Sequence, residues 1–310
     1  MSQHVTPQSP TPSESPTRAS SATSPSSVTL AEQLTKASRR DLWDVYSYFA
    51  WPDALPEDTW CMSPELCSIY GTEAWTALSE TQQRRLSLYE IGNFFSLTLQ
   101  GERPLVAGMS DLLYSSKLAA SQTEYLHHFM DEENKHMVMF GTFCRRYLGK
   151  VYPEKKISLP REYAKGEEDM AFFCKVMVVE ELGDYYNVVM MRDKRLHSLV
   201  QEINFVHHRD ESRHLGFGRQ FTTELWQKWS PTWSPEVLAR FQAWLAAYIK
   251  SSWADFYNPT MYKDAGVGDG YALRQMALAS PITREHREKA SRKLVNYFLR
   301  TGMLASQPEL

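Results

Sequence analysis

A chain of 310 residues with 43% hydrophobic and 23% charged residues can bury a sizeable core and has the balance of a soluble globular protein. Its formal net charge of −3 gives no electrostatic case for nucleic acid or an anionic membrane, and no apolar run approaches the ~20 residues that span a bilayer. Cys61, Cys67, Cys144 and Cys174 lack CxxC spacing, which argues against a zinc knuckle or a disulfide framework and makes a reducing cytoplasm the expected location.

Residues 1–28 are rich in Ser, Thr and Pro, carry almost no large apolar side chains, and read as a disordered tail without the apolar core of a secretory signal. From Leu30 onward apolar residues recur at three and four, with Gly and Pro scarce inside the long segments. The predicted helices are roughly 30–50, 72–116, 119–149, 166–192, 194–229, 234–256 and 281–302, with Ser234 as N-cap before Pro235. With no alternating strands and short breaks, residues 29–310 read as one all-α domain, an antiparallel helical bundle.

Along the second helix, "LYEIGNFFSLTLQGERPLVAGMSDLL" offers Glu90 and Glu102. Glu102 shares a stripe with Phe95, Leu99, Leu105, Val106, Met109 and Leu113, whereas Glu90, beside Ser87 and Asn93, reads as exposed; Pro104 should kink or loosen the helix. In "DEENKHMVMF", Glu133 and His136 stand at i, i+3, bordered by Phe129, Met130, Met137 and Phe140. In "FFCKVMVVEELGDYYNVVMM", Glu180 and Glu181 interrupt an apolar run, where an unpaired carboxylate is too costly and a metal would serve as partner. Adjacent residues project about 100° apart, so one of the two is the ligand; Glu180 is preferred, although periodicity does not decide.

The octet "HHRDESRH" at 207–214 resembles a solvated charge run. On a helix, however, His207, Glu211 and His214 fall within about 60° of one another, along an apolar surface marked by Ile203, Leu215 and Phe217. The ExxH pattern thus occurs twice, and two such helices with one carboxylate from each of two others form the recipe for a two-metal site. The set is Glu102, Glu133, His136, Glu180, His207, Glu211 and His214. Four carboxylates and three imidazoles suit two first-row metals, iron above all, and neutralise two divalent cations. Glu132 and Asp210, each directly before an ExxH glutamate, can accept the far ring N–H of a liganding histidine. His127, His128, His208, Ser212 and the arginines of the octet read as ordinary polar residues.

Together Glu102, "EENKH", "VVEELGDYY", "HHRDESRH" and, more loosely, "FYNPTMYKDAGV" resemble the p-aminobenzoate N-oxygenase family, soluble non-haem diiron enzymes with a ferritin-like bundle. His207, one turn before the second ExxH, matches the third histidine of that family. The resemblance implies a ferritin-like bundle with additional helices, two iron ions, O2 as co-substrate, and oxidation of an amine of a small molecule to hydroxylamine, nitroso or nitro product, in specialised biosynthesis. It also suggests a homodimer. No GxGxxG fingerprint marks a flavin or nicotinamide site, so an external electron donor is expected. The alternatives are a carbon hydroxylase with the same ligands, an iron-storage or ferroxidase protein, and a ribonucleotide reductase radical subunit with Tyr185 or Tyr186 beside the metals.

Overall fold

The computed structural model describes residues 25–115, 117–153 and 162–310. Ten α-helices occur among them: α1 (Ser27–Arg40), α2 (Glu73–Thr76), α3 (Glu80–Ser115), α4 (Ala120–Leu148), α5 (Glu167–Met190), α6 (Ser198–Trp229), α7 (Pro235–Phe256), α8 (Pro259–Ala265), α9 (Gly270–Ala279) and α10 (Pro281–Thr301). The described residues hold no strand beyond an isolated bridge between Trp60 and Leu196. The expected all-α, ferritin-like architecture is present: the pairs α3/α4 and α5/α6 pack most extensively, and α3/α5 and α4/α6 contacts close the four into a bundle. Around it, α1 lies on α4 and α6, α7 and α10 on α5, and α8 on α3.

Local chemistry sets the helix limits. Tyr125, Leu126, Phe129, Met139, Phe140 and Phe143 repeat at helical spacing on the buried face of α4, which ends at left-handed Gly149. Ser234 accepts the Val237 N–H at the start of α7, as its sequence predicts. Gly166, at φ 74°, opens α5 where Trp229 fills the place of a side chain, so both the backbone and the close approach require glycine.

Several limits differ from expectation. The helix predicted over 30–50 ends at Arg40, and turns then fold Trp43, Val45 and Phe49 inward. Residues 1–24 of the expected tail lie outside the described residues, but Ser27 and Val28 open α1, because the backbone N–H of Ser27 donates to Glu224 on α6 at 2.7 Å. The segment 72–116 divides into α2 and α3, and α3 then runs through Pro104 unbroken. The segment predicted from 194 starts as a helix at Ser198, and α8 and α9 were not predicted. No described helix is long and apolar enough to cross a membrane.

Candidate metal centre

The four long helices aim one set of side chains at the bundle axis. Glu102 comes from α3, Glu133 and His136 from α4, Glu180 from α5, and His207, Glu211 and His214 from α6, none more than 3% exposed. Their donor atoms form three overlapping groups, each spanning at most 4.8 Å: Glu133/His136/Glu211/His214, Glu102/His136/His207 and Glu180/His207/Glu211.

Each imidazole turns one nitrogen inward and holds the other from behind. His136 Nδ1 lies 3.5 Å from Glu133 and 3.4 Å from Glu211, while its Nε2 meets Asp210 at 3.3 Å. His214 Nδ1 lies 2.8 Å from Glu133 and 3.2 Å from Glu211, while its Nε2 meets Glu132 at 2.8 Å. His207 Nε2 lies 3.2 Å from Glu211 and 3.7 Å from Glu102, while its Nδ1 meets the Asn187 amide at 2.7 Å. An outer partner of this kind fixes ring orientation and tautomer. The sequence placed Glu132 and Asp210 behind the histidines; Asn187 it did not.

The octet holds more than its periodicity revealed. Arg213, read from sequence as polar remainder, is 6% exposed and joins Glu132 to Asp210. Arg209 bonds Asp210 at 3.1 Å, and His208 bonds Asp184 at 2.5 Å. From the turn after α1, Trp43 donates its indole N–H to Asp210 at 2.9 Å. Arg213 had a local signal, since it stands three residues after Asp210 on one helix. Trp43, remote in sequence, had none. Ser212, exposed, and His127 and His128, exposed and half-buried, stay outside the cluster.

Two carboxylate choices are placed by tertiary contacts. Glu180 joins His207 and Glu211, whereas Glu181 pairs with Arg219 and approaches Lys293 at 3.7 Å. Glu90 is not exposed: it is 4% accessible and accepts from the Ser68 N–H at 3.0 Å and from the Ser68 hydroxyl, which also meets Tyr262 Oη at 2.6 Å. The unpredicted α8 and the loop carrying Ser68 cover that face of α3. Burial pushes the Glu90 carboxyl up to about 8 despite the Ser68 hydrogen bonds. Tyr186 faces His286 at 3.1 Å and stacks on Phe94, and Tyr185 also adjoins His286.

The electrostatics ask for cations. Burial, reinforced by neighbouring carboxylates, raises Glu102 and Glu180 well above the usual range. Burial also works against charge on Glu211, yet the imidazoles of His214 and His207 hold it well below that range. His136 and His214 are raised well above ordinary histidines: burial opposes this, but the acids around them win. Both oxygens of Glu102, Glu133 Oε2, His136 Nδ1, His207 Nε2 and Glu211 Oε2 are buried without a well-directed hydrogen-bond partner among the described residues. Inward-facing, desolvated oxygen and nitrogen donors fit first-row divalent metals, whose charge would compensate the carboxylates. Phe129 stacks on His214 with ring centroids 3.8 Å apart, and Phe140 meets His207 edge-on at 4.9 Å, so the walls are apolar.

Known proteins carry related sequences. Residues 24–302 match the family model described as "P-aminobenzoate N-oxygenase AurF". Uncharacterized proteins of Mycobacterium tuberculosis and Mycobacterium bovis are each 23% identical over 211 residues, which covers 62% of this chain and 61% of theirs. The chain thus spans about three-fifths of the curated relatives it matches. Among solved structures, an R2-like ligand-binding oxidase with a reconstituted Mn/Fe cofactor aligns with a TM-score of 0.48 at 14% identity, covering 89% of this chain and 94% of that one. With the family match extending over most of its length, the chain belongs to the AurF p-aminobenzoate N-oxygenase family.

Proposed function

We propose that this protein is a diiron N-oxygenase that uses O2 and electrons from an external donor to oxidise the amine of a small molecule. The observation that carries the reading is His207: a third imidazole, fully buried, whose inner nitrogen reaches toward both Glu102 and Glu211. Two iron ions held by Glu102, Glu133, His136, Glu180, His207, Glu211 and His214 would supply the reduction of O2 and delivery of one oxygen atom to nitrogen.

The chain's own contribution is to hold and to shield. Asp210 and Glu132 each accept the outer N–H of one imidazole, which leaves the inner nitrogens of His136 and His214 free as ligands, and the Asn187 amide holds the outer nitrogen of His207. Four carboxylates balance two divalent cations, so the charge can be buried. Phe129 and Phe140 exclude water beside His214 and His207.

The test is to load the protein anaerobically with ferrous iron, admit 18O2 with a panel of amines, and locate the label by mass spectrometry. Label on nitrogen, in hydroxylamine, nitroso or nitro products, is the expected result. Label on carbon alone would make the enzyme a hydroxylase. Uptake of many irons per chain with no labelled product would make it a storage protein.

A further inference from the structure

Glu90 precedes Glu102 on α3 by about 18 Å of helix and lies outside the candidate metal centre. Its carboxyl group fastens two segments remote in sequence to that helix. Glu90 Oε1 accepts the Ser68 backbone N–H at 3.0 Å and the Ser68 hydroxyl, which in turn meets Tyr262 Oη of α8 at 2.6 Å. Segment 61–70 and α8 are therefore joined to each other and to α3 at one side chain. Two further ties hold the ends of α8 on α3: the Asn258 amide donates to Asn93 at 2.9 Å, and Arg85 donates to the Ala265 carbonyl at 3.0 Å. A helix of seven residues does not persist alone in water, so α8 depends on these bonds and on its buried Met261, Tyr262 and Ala265.

The surroundings suit Glu90 only while it is neutral. Both Ser68 bonds fall on Oε1, and Oε2 has no hydrogen-bond partner among the described residues. Glu90 lines an enclosed chamber with Phe94, Tyr186, Tyr257 and His286, and the chamber has room for about one water. The titratable neighbours are uncharged near neutral pH. Burial pushes up the Cys67 thiol and the phenols of Tyr186 on α5, Tyr257 after α7 and Tyr262 on α8. Burial, then Lys289 and Arg287, lowers His286 on α10 to about 4. The guanidiniums nearby are engaged elsewhere: Arg287 with Tyr257 Oη and Thr283, and Arg274 of α9 with the Tyr257 carbonyl. No cation pairs with Glu90 among the described residues. An ionised Glu90 would have neither counter-charge nor adequate hydration inside the closed chamber, whereas displacement of α8 and segment 61–70 would bring it bulk water.

We propose that Glu90 is a pH-sensitive latch: protonated, it fastens α8 and segment 61–70 onto α3, and ionised, it releases them locally while the four-helix bundle stays closed. The latch is independent of the N-oxygenase reading. Its sign follows from linkage. The closed carboxyl titrates near 8 and a hydrated one near 4.5, so the closed state keeps a proton that the open state loses, and opening grows with pH between those values. Between pH 7 and 8 an exposed histidine is largely neutral and an exposed thiol or phenol largely protonated, so that interval reads Glu90. Opening should rise about fivefold across it.

The test is amide hydrogen exchange of the iron-loaded, anaerobic protein in low urea, corrected for intrinsic rates. The amides of Ser68, Tyr70 and Val267, bonded to Glu90, Cys67 and Tyr262, report the latch, and those of α4 report the bundle. The latch amides should open about fivefold more at pH 8 than at pH 7, with little urea dependence, while α4 amides show the steep dependence of global unfolding. Glu90→Gln, neutral at every pH, should abolish the rise. Tyr262→Phe, which removes one hydrogen bond of the chain, should raise opening about fivefold at both pH values and keep the rise. It decides the matter if the glutamine variant does not fold, since unchanged opening there would show that the chain fastens nothing. Latch amides that exchange only together with α4, equal opening at pH 7 and 8, or a rise retained in Glu90→Gln overturns the proposal.

Discussion

Arg213 on α6 reaches Glu132 on α4 with Nη2 2.7 Å from Oε1, and the same nitrogen bonds Asp210 at 2.5 Å. Those two acids hold the outer nitrogens of His214 and His136, so one guanidinium braces both imidazole supports. Removing it would strand two buried carboxylates. Arg213→Ala should therefore lower stability by about 3–5 kcal/mol, read from urea unfolding of the metal-free protein. Arg213→Lys should recover part of the loss, because one ammonium can still meet both acids but not also make the Asp41 contact of the second guanidinium nitrogen at 3.4 Å. A loss no greater than that of an exposed arginine would show that the brace has no energetic role.

Glu132 accepts from His214 at 2.8 Å and is held below the usual carboxylate range: burial pushes it up, but the His214 and Arg213 partners outweigh that. Glu132→Gln keeps the shape and removes the charge. Its iron affinity, measured by chelator competition, should drop about 10–100-fold. Wild-type affinity would mean that the His214 ring is oriented by Phe129 packing alone.

Ligand substitutions separate loading from turnover. His214→Ala and Glu133→Ala should abolish binding of about two irons per chain, as read by metal analysis, and retention of both irons in either would sink the ligand set. His207→Ala, removing the third imidazole, should reduce iron content less but abolish product formation. Wild-type turnover in that variant would contradict the role given to His207.

Glu90 makes stability depend on pH in a defined window. Its folded carboxyl is raised from 4.5 to about 8 by burial, so between those values the folded state keeps a proton that the unfolded state has lost. The contribution is fully present below pH 4.5, falls by about 1.4 kcal/mol for each pH unit in the window, and levels off above pH 8. Glu90→Gln should flatten the fall relative to wild type, the other titrations being common to both proteins. Parallel unfolding curves for the two across pH 5–8 would refute it.

Within-helix geometry was legible because a ligand stripe and an apolar stripe obey the same period. That is why Glu133, His136, His207, Glu211 and His214 could be picked out and are found together. Glu180 and Glu181 could not be told apart, since both interrupt one apolar run; the difference lies in Arg219 and Lys293, which other helices bring to Glu181. Glu90 read as exposed because its neighbours Ser87 and Asn93 are polar, whereas Ser68 and Tyr262 arrive from elements far along the chain. Trp43 and Asn187 matter through a single hydrogen bond each, and periodicity records faces, not individual bonds.

The donors span residues 102 to 214 and come from four helices. No fragment that lacks any of α3 to α6 can carry the whole set, and a chain cut before α6 would retain only four of the seven side chains. Metal uptake therefore measures closure of the entire bundle. A variant with splayed helices would keep its far-ultraviolet circular dichroism and bind no metal, so iron stoichiometry doubles as an assay of tertiary assembly.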